Sequence, residues 1–365
     1  MNITIVGAGN MGLTMTAYMT LYKKGKITLF TDKKLDRITL INEEKIFEVD
    51  GFQVGKNKKI IEQSDYIFCT YPAFLRKKFI NEYGDCIRKG AKLGFVPGYG
   101  GAEYICKELI DRGVIVFGFQ RVPYVARASQ GNARILSKKK LLYVSSLPSL
   151  YLTEIVSDVE KMLDIPSIQI KDYLAITLTP TNPIIHIAGL WGAFKNYNPK
   201  EGYKGKIGFY DQWDDTTSEL LFRYDNEVQE ICKKLDNFDL KSVVSLPEYY
   251  ESDTPEKLTK KLKSIEAFKA VKVPVKENGS FRIIDLENRM FVEDFPYVVV
   301  VYKDIAMLFN LKTPTIDLLL DFYKNISGIK YDFINKKESL SQTGAPTVNG
   351  LKTIEEFIKF YKRGK

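Results

Sequence analysis

Apolar and polar positions change their rhythm about halfway along the chain. In the first half, apolar runs of four or five residues recur at 2–6, 27–30, 66–70, 92–96 and 114–117, separated by helix-length stretches. Short continuous apolar runs bounded by turn residues read as buried strands of a parallel sheet. Residues 133–170 continue as strand, helix over about 149–163, and strand, closing an α/β domain near residue 172. From Pro183 onward the spacing turns helical. Leu220, Leu221, Val228, Ile231 and Leu235 mark a helix over 218–235, and lysine-rich residues 255–268 mark an exposed amphipathic one. Residues 273–280, with Pro274 and Gly279, read as a loop or linker. Further helices are predicted over 297–309 and from Pro314, with Thr313 as cap. The pattern predicts an α/β Rossmann domain over 1–178 followed by an all-α domain over 179–365.

The first strand runs directly into Gly7-Ala8-Gly9-Asn10-Met11-Gly12, and a helical run follows to about Tyr22. This is G-x-G-x-x-G in its dinucleotide-binding context. Gly7 permits the tight turn, Gly9 the approach of a pyrophosphate and Gly12 close helix–strand packing, with the helix N-terminus facing the phosphates. The second strand ends at Thr31-Asp32-Lys33-Lys34, where the adenosine ribose is selected. An acid there favours NADH and cations favour NADPH; Asp32 and Lys33 leave both open. Thr70-Tyr71-Pro72 and Pro97-Gly98-Tyr99-Gly100-Gly101 follow later strands, at the sheet edge where open α/β folds bind ligands. Gln120-Arg121-Val122-Pro123 ends another strand and is a candidate substrate loop.

The junction between the two patterns holds the one histidine of the 365 residues, His186. Pro180 and Pro183 punctuate the approach. Asn182 reads as an N-cap with Pro183 at the first helical position, and the helix then carries Ile184, Ile185, His186, Ile187, Leu190, Trp191 and Phe194. An imidazole at such a hinge suits acid/base work, although a lone histidine on an apolar helix also serves structural roles. Residues 287–297 place Arg289, Glu293, Asp294 and Pro296 just before a helix. Taken alone, that run reads as a cap and a surface ion pair.

Composition narrows the function class. Lysine and arginine exceed aspartate and glutamate by 54 to 45, a net charge of +9. The excess is dispersed with few interleaved aromatics, which argues against nucleic acid and for anionic small substrates. No apolar run has membrane-spanning length, and a strand beginning at Asn2 leaves no room for a signal peptide. Cys69, Cys86, Cys106 and Cys232 are scattered, as for buried thiols of a cytoplasmic protein, and with one histidine they make no metal set. A homodimer is the base expectation.

Read together, these motifs resemble the octopine/nopaline (opine) dehydrogenase family. The likeness is carried by the glycine motif at 7–12, the Pro97–Gly101 turn, Asn182-Pro183 followed by His186, Arg289 ahead of Glu293-Asp294 and Pro296, and Leu-Lys-Thr-Pro-Thr-Ile-Asp at 311–317. The C-terminal part is also similar to the related staphylopine-type metallophore dehydrogenases. The resemblance implies an active site in an interdomain cleft and reductive condensation of an amino acid with a 2-oxo acid, using NADH or NADPH. It implies His186 as acid/base, Asp294 as its partner and Arg289 as a substrate-carboxylate anchor, with Gln120 and Asn182 also at the substrate. One departure stands out. Guanidino-amino-acid enzymes of the family read E-T-L-P where this chain has Gln120-Arg121-Val122-Pro123, which argues against arginine as amino substrate and for a neutral or acidic side chain. Two other readings remain. A two-domain 2-oxo acid reductase carries a lysine near the start of its second domain, and Lys195 is the first lysine after His186. The other is a non-catalytic dinucleotide sensor.

Overall fold

The computed structural model describes residues 1–179, 181–279, 281–335 and 338–363; the Pro180 breakpoint and Ser280, the end of the expected linker, lie outside them. The chain forms two compact units, Met1–Thr177 with Glu355–Lys365, and Leu178–Ile354. Residues 355–363 therefore return to the first unit, where the helical rhythm had placed them in the second. The reason is an apolar stripe. Phe357, Phe360 and Tyr361 are buried, and all three pack around the ring of Tyr104.

The first unit runs β1 (Asn2–Val6), α1 (Asn10–Leu21), β2 (Lys26–Phe30), β3 (Ile38–Asn42), β4 (Lys45–Val49), β5 (Gln53–Gly55), α2 (Lys58–Glu62), β6 (Tyr66–Cys69), α3 (Ala73–Tyr83), β7 (Lys92–Phe95), α4 (Ala102–Ile105), α5 (Lys107–Asp111), β8 (Ile115–Phe119), β9 (Tyr124–Ser129), β10 (Asn132–Lys138), β11 (Leu142–Leu147), α6 (Leu152–Leu163), β12 (Ser167–Gln169) and α7 (Leu174–Thr177). Eight strands form one sheet in the order β12-β11-β8-β7-β6-β1-β2-β5, parallel except for β11 against β8. Strand order reverses at β1, with β2 on one side and β6 on the other. That switch point opens a crevice at the carboxyl ends of β1 and β6. The central strands are buried along almost their whole length, which is why they are continuous apolar runs.

A second sheet, β4-β3-β10-β9, was not foreseen over 38–49, because those strands mix half-exposed and polar positions. α1 packs against both sheets. Residues Gly12 to Met19 are all buried, so the helix has no polar face to betray it by amphipathy.

The second unit comprises α8 (Thr181–Phe194), α9 (Asp215–Lys234), α10 (Leu246–Tyr249), α11 (Pro255–Ser264), β13 (Val275–Asn278), β14 (Phe281–Ile284), α12 (Arg289–Val292), α13 (Val300–Leu308), α14 (Pro314–Ser327) and α15 (Glu338–Ser341); α16 (Ile354–Tyr361) then enters the first unit. It is helical, with one departure. The expected linker over 273–280 contains β13, which pairs antiparallel with β14. Asp214 caps α9, its carboxylate accepting from Thr217 N at 2.8 Å. α8 lies close against its neighbours because Gly189 and Gly192 carry no side chain. A Cβ on Gly189 would stand 2.4 Å from Phe209 Cζ, and one on Gly192 2.3 Å from Thr217 Oγ1.

One predicted cap is corrected, and the other holds its position without making the cap bond. α8 begins at Thr181, so Asn182 and Pro183 lie inside its first turn and Asn182 is not the N-cap. Thr313 precedes α14 but makes no side-chain cap bond; its hydroxyl accepts from Lys303 Nζ at 3.1 Å. The Glu227 carboxylate takes over that task, accepting from Thr315 N at 2.6 Å and Ile316 N at 2.9 Å.

Candidate functional site

The glycine motif sits at the switch point. Gly7 has φ +104°, a conformation that disfavours a side chain. Gly12 faces it so closely that a Cβ would fall 1.8 Å from the Gly7 carbonyl oxygen. Around Gly9, by contrast, nothing stands within 4 Å of a Cβ position. Two glycines are thus required by packing, and the third fronts open space beside the start of α1. Thr70, just past β6, donates through its hydroxyl to Val6 O at 2.8 Å and closes the other wall of the crevice together with Tyr71. A cavity of about 530 Å³ continues from Ala8 and Leu13 past Lys33, Lys34 and Leu35 to the β9–β10 turn. A dinucleotide fits this set: open room at Gly9 for a pyrophosphate at the N-terminus of α1, and the adjoining cavity for the adenosine half.

Other expected cofactor residues, and the expected substrate residue Gln120, also make structural contacts. Asn10 Oδ1 accepts from Ala128 N at 2.8 Å, tying α1 to β9. Met11 is half-buried against the core. Thr31 Oγ1 accepts from Lys33 N at 3.3 Å. Asp32 pairs with Lys56 at 2.6 Å. Gly98 is a glycine for packing, since a Cβ would stand 2.8 Å from Gly118 Cα. Gln120 is buried, with its backbone N–H on Tyr143 O.

Sequence reasoning missed Arg76, which lies in an ordinary basic stretch of α3. Its side chain is 1% exposed. The guanidinium donates to the carbonyls of Tyr71 at 3.1 Å, Pro97 at 2.9 Å and Tyr99 at 2.5 Å. One buried cation thereby staples the loops after β6 and β7, which hold Tyr71, Pro72, Pro97 and Gly98. No spacing rule reveals it, because all three partners are backbone.

In the second unit, His186 on α8 and Asp294 just before the next helical segment come together across 108 positions. His186 Nδ1 lies 2.9 Å from Asp294 Oδ2. The imidazole is 24% exposed and the carboxylate 6%. Burial raises the Asp294 carboxyl pKa, and the hydrogen bond from His186 opposes that shift. With Nδ1 held by the carboxylate, Nε2 is the ring nitrogen left for proton transfer. Phe209 meets the imidazole edge-on at 6.2 Å. A π-helical turn over Phe295–Val299 follows Asp294, and such turns are frequent at functional sites.

Arg289 lies one turn upstream. Its Nε and Nη2 donate to Glu293 Oε2 at 2.8 and 2.5 Å. Arg289 is 68% exposed and Glu293 only 3%, so the buried acid fixes the stem of an outward guanidinium. Glu293 was noticed only as one of two adjacent acids. Asn182 is exposed on the first turn of α8.

A glycine-cradled parallel sheet and a helical unit carrying a His–Asp pair are the parts of a two-domain NAD(P)-dependent dehydrogenase. Residues 169–327 match the model of the NAD/NADP octopine/nopaline dehydrogenase alpha-helical domain. Octopine dehydrogenase of Pecten maximus is 22% identical, covering 91% of each chain, and tauropine dehydrogenase of Arabella iricolor is 20% identical over 98% of this chain and 99% of its own. A solved octopine dehydrogenase with NADH and L-arginine superposes with a TM-score of 0.85 at 20% identity, covering 100% of this chain and 98% of that one. Over residues 169–327 the chain thus carries the helical domain of the octopine/nopaline (opine) dehydrogenase family.

Proposed function

We propose that this chain joins the α-amine of an amino acid to a 2-oxo acid and reduces the resulting imine, giving a secondary amine. The observation that carries the reading is the His186–Asp294 pair on the family's helical domain, in a chain that also holds the dinucleotide cradle. The likeness to octopine dehydrogenase, solved with NADH and L-arginine and with NADH and pyruvate, supports it.

The chemistry needs proton traffic at one point. The amine nitrogen bonds to the carbonyl carbon and loses a proton, and the former carbonyl oxygen leaves as water after gaining protons. The resulting C=N bond is then saturated at carbon by a hydride. His186 Nε2 takes and returns these protons, a role that typically contributes about 10²–10⁴-fold. Asp294 holds the tautomer and balances the imidazolium. Arg289, steadied by Glu293, grips a substrate carboxylate through its fork. The bound nicotinamide cofactor, NADH or NADPH, supplies the hydride, and Gly7, Gly9 and Gly12 with the Thr70–Pro72 turn hold it.

Gln120 and Arg121 replace the carboxylate that would suit a cationic side chain, so we assign a neutral or acidic amino acid as co-substrate. The lysine-based oxo acid reductase reading gains no support, because Lys195 lies 3.4 Å from Asp214 and 4.8 Å over the Trp191 ring. The four free cysteines suit the reducing cytoplasm. No helix among the described residues is long and apolar enough to cross a membrane. A homodimer is the default assembly for such an enzyme.

The test mixes purified protein, NADH or NADPH, pyruvate and pooled amino acids, following absorbance and then product mass. Oxidation that requires both substrates, with a product of amino acid plus oxo acid minus water plus two hydrogens, is expected. Oxidation with the oxo acid alone would instead establish a hydroxyacid reductase. Tight dinucleotide binding with no turnover would establish a sensor.

A further inference from the structure

The cavity beside the glycine turn carries a selectivity that the motif left open. Its charged lining groups are Lys33 and Lys34, and no carboxylate lines it. Asp32, at the position where an acid selects the unphosphorylated ribose, is taken up elsewhere. Its Oδ2 accepts from Lys56 Nζ at 2.6 Å, just beyond β5, the strand beside β2. That hydrogen bond is the main cause of the raised pKa of the Lys56 ammonium. Lys33 Nζ reaches back to Ala8 O at 3.3 Å, so its charge sits over the glycine turn itself. Neither Lys33 nor Lys34 enters an ion pair among the described residues. Ser129 and Gln130, at the β9–β10 turn, also line the cavity.

We propose that this site is built for NADPH: Lys33 and Lys34 bind the 2′-phosphate, and Lys56 sets the preference by withdrawing Asp32 from the ribose. The inference rests on the dinucleotide reading above and adds to it which dinucleotide is used. The phosphate brings close to two negative charges and several acceptor oxygens. Two ammonium groups without acidic partners satisfy them, whereas a ribose 2′-hydroxyl would leave both cations uncompensated. A free Asp32 carboxylate would do the reverse, accepting from the ribose hydroxyls and repelling the phosphate. Lys56 is thus a positioning residue, acting on the cofactor through Asp32.

The experiment is an equilibrium titration of the full chain with NADPH and with NADH, read by nicotinamide fluorescence without substrates. Calorimetry with 2′,5′-ADP and with 5′-AMP isolates the adenosine half. NADPH should bind about tenfold or more tightly than NADH at low ionic strength, and the gap should narrow as salt screens the contact. Lys33→Ala/Lys34→Ala should abolish the gap, with NADPH losing about tenfold more affinity than NADH. Lys56→Ala should weaken NADPH and hold or improve NADH. All three lysines are on the surface, and circular dichroism with thermal melting confirms that the variants fold. Equal or tighter NADH binding by the wild type overturns the proposal, as does a preference that survives the double substitution. Should neither dinucleotide bind, the dehydrogenase reading fails and this inference falls with it.

Discussion

Glu103 should make the first unit less stable as pH rises through neutrality. Its side chain is fully buried on α4. Oε1 accepts from the Thr177 hydroxyl and from Tyr361 OH, the latter at 2.8 Å, while Oε2 has no hydrogen-bond partner. Burial raises its pKa from the ordinary 4.5 to about 7, against the opposing pull of Thr177, Tyr361 and Arg76. A buried acceptor without a donor is where a proton would sit, so geometry and direction agree. The folded pKa lies above the unfolded one, so between them the folded state binds more protons. The stabilisation is complete below pH 4.5 and is lost as pH rises through 7. At about 1.4 kcal/mol per unit, the full loss is about 3 kcal/mol. For a unit of this size that corresponds to about 6–12 °C in Tm. Glu103→Gln keeps the shape and the Oε1 acceptor but does not titrate. Melting curves by circular dichroism at pH 5, 6, 7 and 8 should show the wild type falling by that amount relative to the variant. A variant whose Tm runs parallel to wild type across the range refutes the reasoning. If Glu103→Gln does not fold, Tyr361→Phe provides the check: it removes a donor to the carboxylate and should move the wild-type decline to higher pH.

Other consequences concern the two functional clusters. Asp294→Asn should lower kcat by about 10²–10⁴-fold while leaving dinucleotide affinity within about twofold, as measured by turnover and fluorescence titration; unchanged turnover removes Asp294 from the mechanism. Gly9→Ala should keep the wild-type Tm and weaken dinucleotide binding by about tenfold or more, because its Cβ enters open space beside the helix terminus. Gly12→Ala should lower the Tm itself, since its Cβ would stand 1.8 Å from a backbone oxygen. Arg289→Lys keeps the charge but loses the fork held by Glu293, and should raise KM for a carboxylate substrate by about tenfold with a smaller change in kcat.

Much of the architecture was readable in one dimension because it depends on local rules. A parallel strand buried on both faces must be a continuous apolar run, and a phosphate-binding turn must place glycines at fixed intervals after it. That marked β1, α1, β2, β6, β7 and β8, and the change to helical spacing marked the second unit. The sequence also isolated His186 and, through the 289–296 motif, Arg289 and Asp294. It could not show that Asp294 reaches Nδ1 of His186, because contact across 108 positions is a property of the folded chain. Nor could it show that Asn182 is no cap, that 275–278 pairs with 281–284, or that 355–363 returns to the first unit: each outcome is tertiary packing overriding local preference. Arg76, Glu103 and the Lys56–Asp32 pair were hidden for a related reason. Residue type says that a side chain is charged, but only its three-dimensional surroundings decide whether that charge is buried, neutralised or offered to a ligand.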